Sequence, residues 1–230
     1  VASDVSVLFT DIVSFTRLSS QLDPADVADL LNRFFSTLDE LAAKHGVRRY
    51  QTVGDAYIGI ASPSTRPSEF VADEMWTPER AICEFAIAAV DFASRLPVLC
   101  DGTAPPSGFE SLAVRAGIAS GPVAFQLVTF DRMEILGDTV NLASKMEISG
   151  VRRRVMVTEA HYALVRDDFP DARKRKVKMK GKGRMHAYLL GDAISPDPSA
   201  AVIYSDHSPF ASPSPARAIL PPLPGQAPTP

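Results

Sequence analysis

Two aspartates stand where a carboxylate could bind a metal ion. Asp11 follows the apolar run at positions 5–9, and Asp55 lies between Gly54 and a second apolar run. If the two runs form neighbouring strands, both carboxylates project from one edge of the sheet. Mg²⁺ takes such oxygens from a protein when substrate phosphates complete its coordination shell. The alternative is that both are ordinary turn residues, a common role for Asp at strand ends.

Two groups of polar residues in the second half of the chain are also spaced so that their side chains could act together on a ligand. Asn141 and Lys145 are four residues apart in a predicted helix, so both lie on one face of it. Eight of the twelve residues from Arg173 to Arg184 are Lys or Arg. By themselves, these cations indicate either a solvated face or a nucleic-acid-binding patch.

The elements that must position these residues follow from apolar periodicity and from turn signals. Strands are predicted at 5–9, 47–53, 56–61, 112–119, 123–128, 132–136, 155–157, 175–179 and 185–190. Helices are predicted at 24–45, 79–96, 138–148 and 159–165. Strands and helices alternate without a strict strand-helix-strand repeat, which favours an α+β fold over a doubly wound sheet. We therefore expect a ferredoxin-like sandwich, with helices packed on a mixed, largely antiparallel sheet.

Composition limits the class of protein. The chain has 230 residues, a formal charge of −3 and 46% hydrophobic residues, enough for a buried core. No apolar run approaches the ~20 residues needed to cross a bilayer. Two cysteines cannot form a disulfide framework, so reduced surroundings are expected. The chain opens on Val1 directly before a predicted strand, so we interpret it as a domain excised from a larger protein, in which a signal or membrane segment could precede it. The expected location is cytoplasmic.

The C-terminal segment differs in composition from the rest of the chain. Ten of the 38 residues at positions 193–230 are proline, mixed with Ser, Ala and Asp. Proline removes backbone donors, so this segment is predicted to be a disordered tail or linker. A proline-rich ligand motif at 221–224 is the alternative. The folded domain is therefore predicted at residues 1–192.

Five motifs, in order along the chain, resemble those of the class III nucleotidyl cyclases, the adenylyl and guanylyl cyclases. They cover nearly all of residues 5–191. The matching segments are FTDIVSFT at 9–16, TVGDAY at 52–57, VRAGIASGPV at 114–123, GDTVNLASKME at 137–147 and KMKGKG at 178–183.

The resemblance implies that a ribose 3′-hydroxyl attacks the α-phosphate of its own nucleoside triphosphate. The products are a 3′,5′-cyclic nucleotide and pyrophosphate. It implies two Mg²⁺ or Mn²⁺ ions held by Asp11, Asp55 and the carbonyl of Ile12. The distal phosphates would be held by backbone amides of four consecutive residues, Val13, Ser14, Phe15 and Thr16. Phosphoryl transfer depends mainly on positioning and charge stabilisation, so no nucleophilic side chain is required.

Three residues are matched to catalytic positions by the resemblance: Asn141 anchors the ribose, Lys145 contacts the α-phosphate and Lys180 reaches the triphosphate. The family usually has Arg where this chain has Lys145. The charge is kept, but the two-pronged guanidinium geometry is lost, which predicts slower turnover. A catalytically silent module that binds nucleotide and dimerises is the alternative.

The base-reading positions match Gln51 and Glu134, which form neither the Glu/Cys pair of guanylyl relatives nor the Lys/Asp pair of adenylyl relatives. An ionised Glu134 can only accept hydrogen bonds, so it suits the adenine N6 amino group and opposes guanine O6. The Gln51 amide suits either base. We therefore predict a preference for ATP with some use of GTP. A guanylyl cyclase with an atypical pair is the alternative.

The resemblance also concerns partners. In the family, one chain supplies the two aspartates and its partner supplies the base, ribose and Lys180 positions. Because this chain carries both sets, a homodimer with two equivalent sites is expected. Regulatory domains of a larger host chain are expected partners, nucleic acid is not, and the cytosolic side of a membrane receptor is the alternative location. Two departures are Ser14, where the family often has Gly, and a shortened hairpin at 124–128.

Overall fold

The computed structural model describes residues 2–70, 75–98, 105–129, 132–179 and 182–191. Lys180 and the predicted tail at 193–230 lie outside these residues. The helices are α1 Phe15–Ser19, α2 Pro24–His45, α3 Pro78–Arg95, α4 Asp138–Ile148 and α5 Glu159–Val165. The strands are β1 Ala2–Ile12, β2 Arg48–Val53, β3 Ala56–Ala61, β4 Val114–Thr129, β5 Arg132–Leu136, β6 Arg154–Thr158, β7 Arg173–Met179 and β8 Gly183–Leu190. Within the described ranges, no helix combines the length and apolarity that crossing a bilayer requires.

The strands form a sheet in the order β2-β3-β1-β4-β6-β8-β7, and β5 pairs with β4 outside this path. β4 and β6 run parallel, whereas the other described pairs are antiparallel. A parallel step requires a crossover, and here the crossover carries α4. The expected α+β fold with a mixed, largely antiparallel sheet is confirmed.

Helices cover both faces of the sheet. The apolar stripe of α2, which includes the fully buried Leu30, Phe34 and Leu38, packs with α3 against one face. On the other face, Ala143 of α4 joins β1, β3 and β4 in a second core cluster. α4 lies so close to β4 that a Cβ on Gly117 would be 2.0 Å from the backbone nitrogen of Glu147. A side chain at position 117 would therefore displace the helix.

The predicted boundaries agree with the structure for most elements and differ in the centre of the chain. The segments at 112–119 and 123–128 are one strand, β4, rather than two. Its first part pairs with β1 and its last part with β5. Pro122 does not break the strand, and its carbonyl accepts a hydrogen bond from the Thr139 hydroxyl at 2.9 Å. The short helix α1 and two 3₁₀ turns, at Pro63–Thr65 and Ser68–Phe70, were not predicted.

Candidate active site

The fold brings Asp11 and Asp55 to the same edge of the sheet. Asp11 is the penultimate residue of β1, and Asp55 lies in the two-residue turn between β2 and β3. β3 pairs with β1 in a register that sets Tyr57 opposite Thr10, so the turn reaches the end of β1. The Asp55 carboxylate accepts a hydrogen bond from the backbone amide of Ile12 at 3.2 Å. The expected proximity of the two aspartates is therefore observed.

The electrostatics of the pair show why a cation suits it. Burial and the neighbouring Asp11 charge raise the pKa of Asp55 to about 7. Two carboxylates this close repel each other, and a divalent cation between them removes that penalty. No group of three or more His, Cys, Asp or Glu side chains suited to a metal occurs among the residues that the structure describes. Two carboxylates at one sheet edge fit Mg²⁺ or Mn²⁺ whose shell is completed by phosphate oxygens.

Arg115 and Glu147 are also part of this site, and sequence reasoning gave them no role. The Arg115 guanidinium donates to Asp11 at 2.8 Å and to Glu147 at 2.9 Å. The Arg115 and Glu147 side chains are 10% and 9% exposed, so both are almost fully desolvated. A signal was present, because an arginine among the small and apolar residues at the start of β4 needs buried acceptors or acidic partners.

The four predicted phosphate-binding residues connect β1 to α1 and begin that helix. The Val13 amide donates to the carbonyl of Ala113 at 2.8 Å, so the amide of this predicted phosphate ligand is already bonded. Ser14 precedes α1 with φ +62° and ψ +30°, and Phe15 and Thr16 form the first turn of the helix. The left-handed conformation at Ser14 explains why glycine suits this position in relatives.

The helix α4 carries Asn141 and Lys145 on a different side from Glu147. Glu147 is buried toward β4, Asn141 is exposed and Lys145 is half-buried. At about 100° per residue, Lys145 and Glu147 lie roughly 160° apart around the helix. The side of α4 that bears Lys145 is therefore turned away from the aspartates of its own chain.

The two candidate base-reading residues belong to β2 and β5, which are far apart in sequence. Gln51 and Glu134 are both half-buried. Hydrogen bonds of the Tyr50 hydroxyl link the two strands, so the structure joins the elements that carry these residues. Lys180 lies outside the described residues. The nearby Lys182 forms an ion pair with Asp138 at the start of α4.

The chain's similarity to known proteins matches this geometry. Residues 1–192 match the family described as the adenylate and guanylate cyclase catalytic domain. An adenylate cyclase of Mycobacterium tuberculosis is 33% identical over 85% of this chain and 41% of its own length. The guanylate cyclase soluble subunit beta-2 of Rattus norvegicus is 31% identical over 80% of this chain and 25% of its own length.

Solved structures show the same similarity. The guanylate cyclase domain of RhGC from Catenaria anguillulae, in complex with GTP, has a TM-score of 0.69 and 26% identity. The match covers 82% of this chain and 96% of that one. The fold is thus that of cyclase catalytic domains, and the chain belongs to the adenylate and guanylate cyclase catalytic domain family. It spans less than half the length of the curated relatives named above.

Proposed function

We propose that this chain is a nucleotidyl cyclase that converts ATP, in preference to GTP, into the 3′,5′-cyclic nucleotide and pyrophosphate. The ribose 3′-oxygen forms a bond to the α-phosphorus. The bond from that phosphorus to the oxygen bridging it to the β-phosphate breaks, and pyrophosphate leaves. The observation that carries the proposal is the contact between Asp55 and the end of β1, which places two carboxylates at one point of the sheet edge.

Asp11 and Asp55, with the carbonyl of Ile12, would hold Mg²⁺ or Mn²⁺. Class III cyclase domains generally depend on these metals; when bound, the metal lowers the pKa of the 3′-hydroxyl and neutralises charge on the phosphates. The lysines of the chain would offset further negative charge on the phosphates. Lys145 offsets negative charge that develops around the α-phosphate, and Lys180 is assigned to the triphosphate by its motif. Asn141 orients the ribose.

Relatives of both kinds, adenylate and guanylate cyclases, match this chain at similar identity, so membership in the family does not determine the base. The proposed preference depends on Glu134. An ionised carboxylate accepts from the N6 amino group of adenine but meets the O6 of guanine acceptor to acceptor. A mispaired polar group in a buried site costs about 1–3 kcal/mol. This cost favours the binding of ATP over GTP by about fivefold or more.

A homodimer with shared sites is part of the proposal. The support comes from α4, which contacts Arg115, the partner of Asp11, through Glu147. Lys145 and Asn141 lie on another side of this helix and are turned away from the aspartates of their own chain. A second copy related by a two-fold axis supplies the same helix face to each acidic pair.

The test uses the purified chain with Asp55→Asn, which keeps the size of the side chain and removes its charge. We expect the rate of cyclic nucleotide formation to fall by about 100-fold or more, because one of the two anionic ligands is lost. Binding of Mn²⁺, measured by electron paramagnetic resonance, should weaken in parallel. The matched control is Asp29→Asn, which changes an exposed aspartate on α2 that pairs with Arg33.

The products from ATP and from GTP are identified separately with Mg²⁺ and with Mn²⁺. Faster formation of cyclic GMP than of cyclic AMP at equal substrate concentrations would contradict the assigned base preference. Nucleotide binding without any cyclic product would instead identify a silent dimerisation module. Unchanged activity of the Asp55→Asn variant would exclude the proposed metal site.

A further inference from the structure

The hydroxyl group of Tyr50 joins β2 to β5. The Tyr50 hydroxyl donates to the carbonyl of Met133 at 2.6 Å and accepts from the amide of Ile135 at 3.1 Å. One edge of β5 pairs with β4. The Tyr50 hydroxyl binds the two backbone groups on the opposite edge of β5. The side chain thus fixes the backbone on both sides of Glu134.

The backbone of β2 is adapted to this contact. Arg49 pairs with Gly59 and Gln51 pairs with Ile58, so Tyr50 is the extra residue of a β-bulge. Bulges change the direction in which side chains project and are frequent beside functional sites. The half-buried Tyr50 side chain packs against the core cluster that includes Ile135. The packed ring and the two hydrogen bonds therefore hold the hydroxyl in one place.

The Tyr50 hydroxyl lies next to the backbone of both candidate base-reading residues. Gln51 is the next residue in the chain after Tyr50, and Glu134 lies between the two residues whose backbone the hydroxyl binds. A change in the distance between β2 and β5 moves the backbones of Gln51 and Glu134 relative to each other. Discrimination between adenine and guanine depends on hydrogen bonds at both positions, and such bonds are sensitive to small displacements.

We propose that Tyr50 is a positioning residue for base selection, which sets the separation between Gln51 and Glu134 through its bonds to β5. This inference rests on the proposed function, because it takes these two residues as the base readers. Tyr50 need not touch the nucleotide. Its hydroxyl acts through the strand that carries Glu134.

The test is Tyr50→Phe in the full chain, which keeps the packed ring and removes both hydrogen bonds. The values of kcat and KM are measured for ATP and for GTP, together with inhibition by inorganic tripolyphosphate, which has no base. We expect the ratio of kcat/KM for the two nucleotides to move toward 1 by about fivefold or more, mainly through KM. The inhibition constant of tripolyphosphate should change by less than about twofold, because it lacks the base that these residues read.

The matched control is Tyr162→Phe. The Tyr162 hydroxyl donates to the carbonyl of Phe169 at 3.3 Å, so this variant also loses a tyrosine hydrogen bond to the backbone. It should leave the nucleotide ratio unchanged. A shift of equal size in both variants would mean that general loosening of the fold, rather than the position of β5, sets the ratio, and would overturn the inference.

The outcome for wild type separates this inference from the proposed function. If wild type makes cyclic nucleotide and Tyr50→Phe keeps its ratio, the inference is wrong and the function stands. If wild type makes no cyclic product, the proposed function is wrong. The ratio of ATP to GTP dissociation constants, measured for both proteins at equilibrium, then still decides whether Tyr50 governs base selection.

Discussion

Glu147 is a buried acid whose surroundings disfavour ionisation. Burial raises its pKa to about 7, and the charges of Asp11 and Asp55 add to this rise, while Arg115 opposes it. The ion pair with Arg115 therefore does not fully offset the loss of hydration. In the folded protein Glu147 retains its proton at pH values where the unfolded chain has lost it.

This difference predicts a pH-dependent stability. Between pH 4.5 and about 7 Glu147 holds its proton more often in the folded state than in the unfolded state, so its contribution to the free energy of unfolding falls as the pH rises through this window. The change in its pKa corresponds to about 3 kcal/mol over this window. Urea unfolding in the presence of a chelator, at several pH values, measures it. Glu147→Gln should remove this contribution and so shift the pH slope of stability upward. Asp55, whose pKa is also raised, adds a slope of the same sign as Glu147, whereas burial lowers the pKa of His161 to about 3 and gives a slope of the opposite sign.

Glu40→Gln, an exposed position on α2, is the control for that experiment. It should leave the pH slope of wild type unchanged. Equal slopes for wild type and Glu147→Gln would show that Glu147 ionises as freely in the folded protein as in the unfolded chain.

At the scale of single residues, the sequence was informative where chemistry follows from a local pattern. Asp11 and Asp55 each end or join predicted strands, so their proximity follows if those strands are neighbours, which the resemblance to the cyclase motifs favoured. Arg115 could not be placed in the same way, because its partners are 104 and 32 residues away in sequence. The register of β1 on β4 sets Arg115 directly opposite Asp11, and the packing of α4 on β4 adds Glu147. The roles assigned to the site residues stay predictions.

At the scale of elements, the contact between α4 and β4 determines where the site residues lie. Gly117 permits it, because a Cβ there would be 2.0 Å from the nitrogen of Glu147 and 2.5 Å from the oxygen of Ala143. Both atoms belong to the helix backbone, which cannot move aside as a flexible side chain can. The position of Lys145, on the same helix, depends on this contact.

Gly117→Ala should therefore lower the free energy of unfolding by about 3 kcal/mol or more. The added methyl group would overlap the backbone of α4, which lies directly against β4 at this position. The comparison variant is Gly54→Ala. Gly54 has φ +60° and nothing within 4 Å of the added Cβ, so only backbone strain of about 1 kcal/mol is expected. Chemical denaturation of both variants gives the two values. A smaller loss for Gly117→Ala than for Gly54→Ala would mean that α4 adjusts at little cost.

Elements with clear end signals were the ones that sequence located best. α2 begins at Pro24 and ends before Gly46, which adopts φ +71°, as its proline and glycine predict. The Gly121-Pro122 pair was misleading, since β4 continues through it. Gly121 has φ +152° and packs against the Thr139 hydroxyl, a contact with α4 that local sequence does not reveal.

At the scale of the whole molecule, the hairpin of β4 and β5 exposes an unusual number of large apolar side chains. Leu127 is 65% exposed and Met133 is 51% exposed. The other exposed apolar side chains of this hairpin are Phe125, Val128 and Leu136. Apolar groups gathered on one projecting hairpin favour association with another chain. They support the proposed dimer.

Mixing two inactive variants tests whether each site is shared between chains. Asp55→Asn damages the acidic half of a site, and Lys145→Ala damages the complementary half. After unfolding and refolding together at equal amounts, half of the dimers are mixed, and each mixed dimer has one intact site. Activity should therefore recover to about a quarter of the wild-type value, measured as cyclic nucleotide formed per chain.

The control for mixing pairs Asp55→Asn with Asp11→Asn. Both changes affect the same half of a site, so no mixed dimer contains an intact one and activity should stay low. Recovery in this control, or none in the first mixture, would contradict sites shared between two chains.

β4 is continuous from Val114 to Thr129, and its two ends serve different tasks. Arg115, near the start, contacts Asp11, and Gln126, eleven residues later, pairs with Glu134. At about 3.3 Å per residue, these positions are at most roughly 36 Å apart. In the proposed dimer, one end of the strand belongs to the acidic half of one site and the other end to the base-reading half of the second. A regulatory domain that displaces this strand would thus alter both sites together, and the two halves of the dimer would switch in concert.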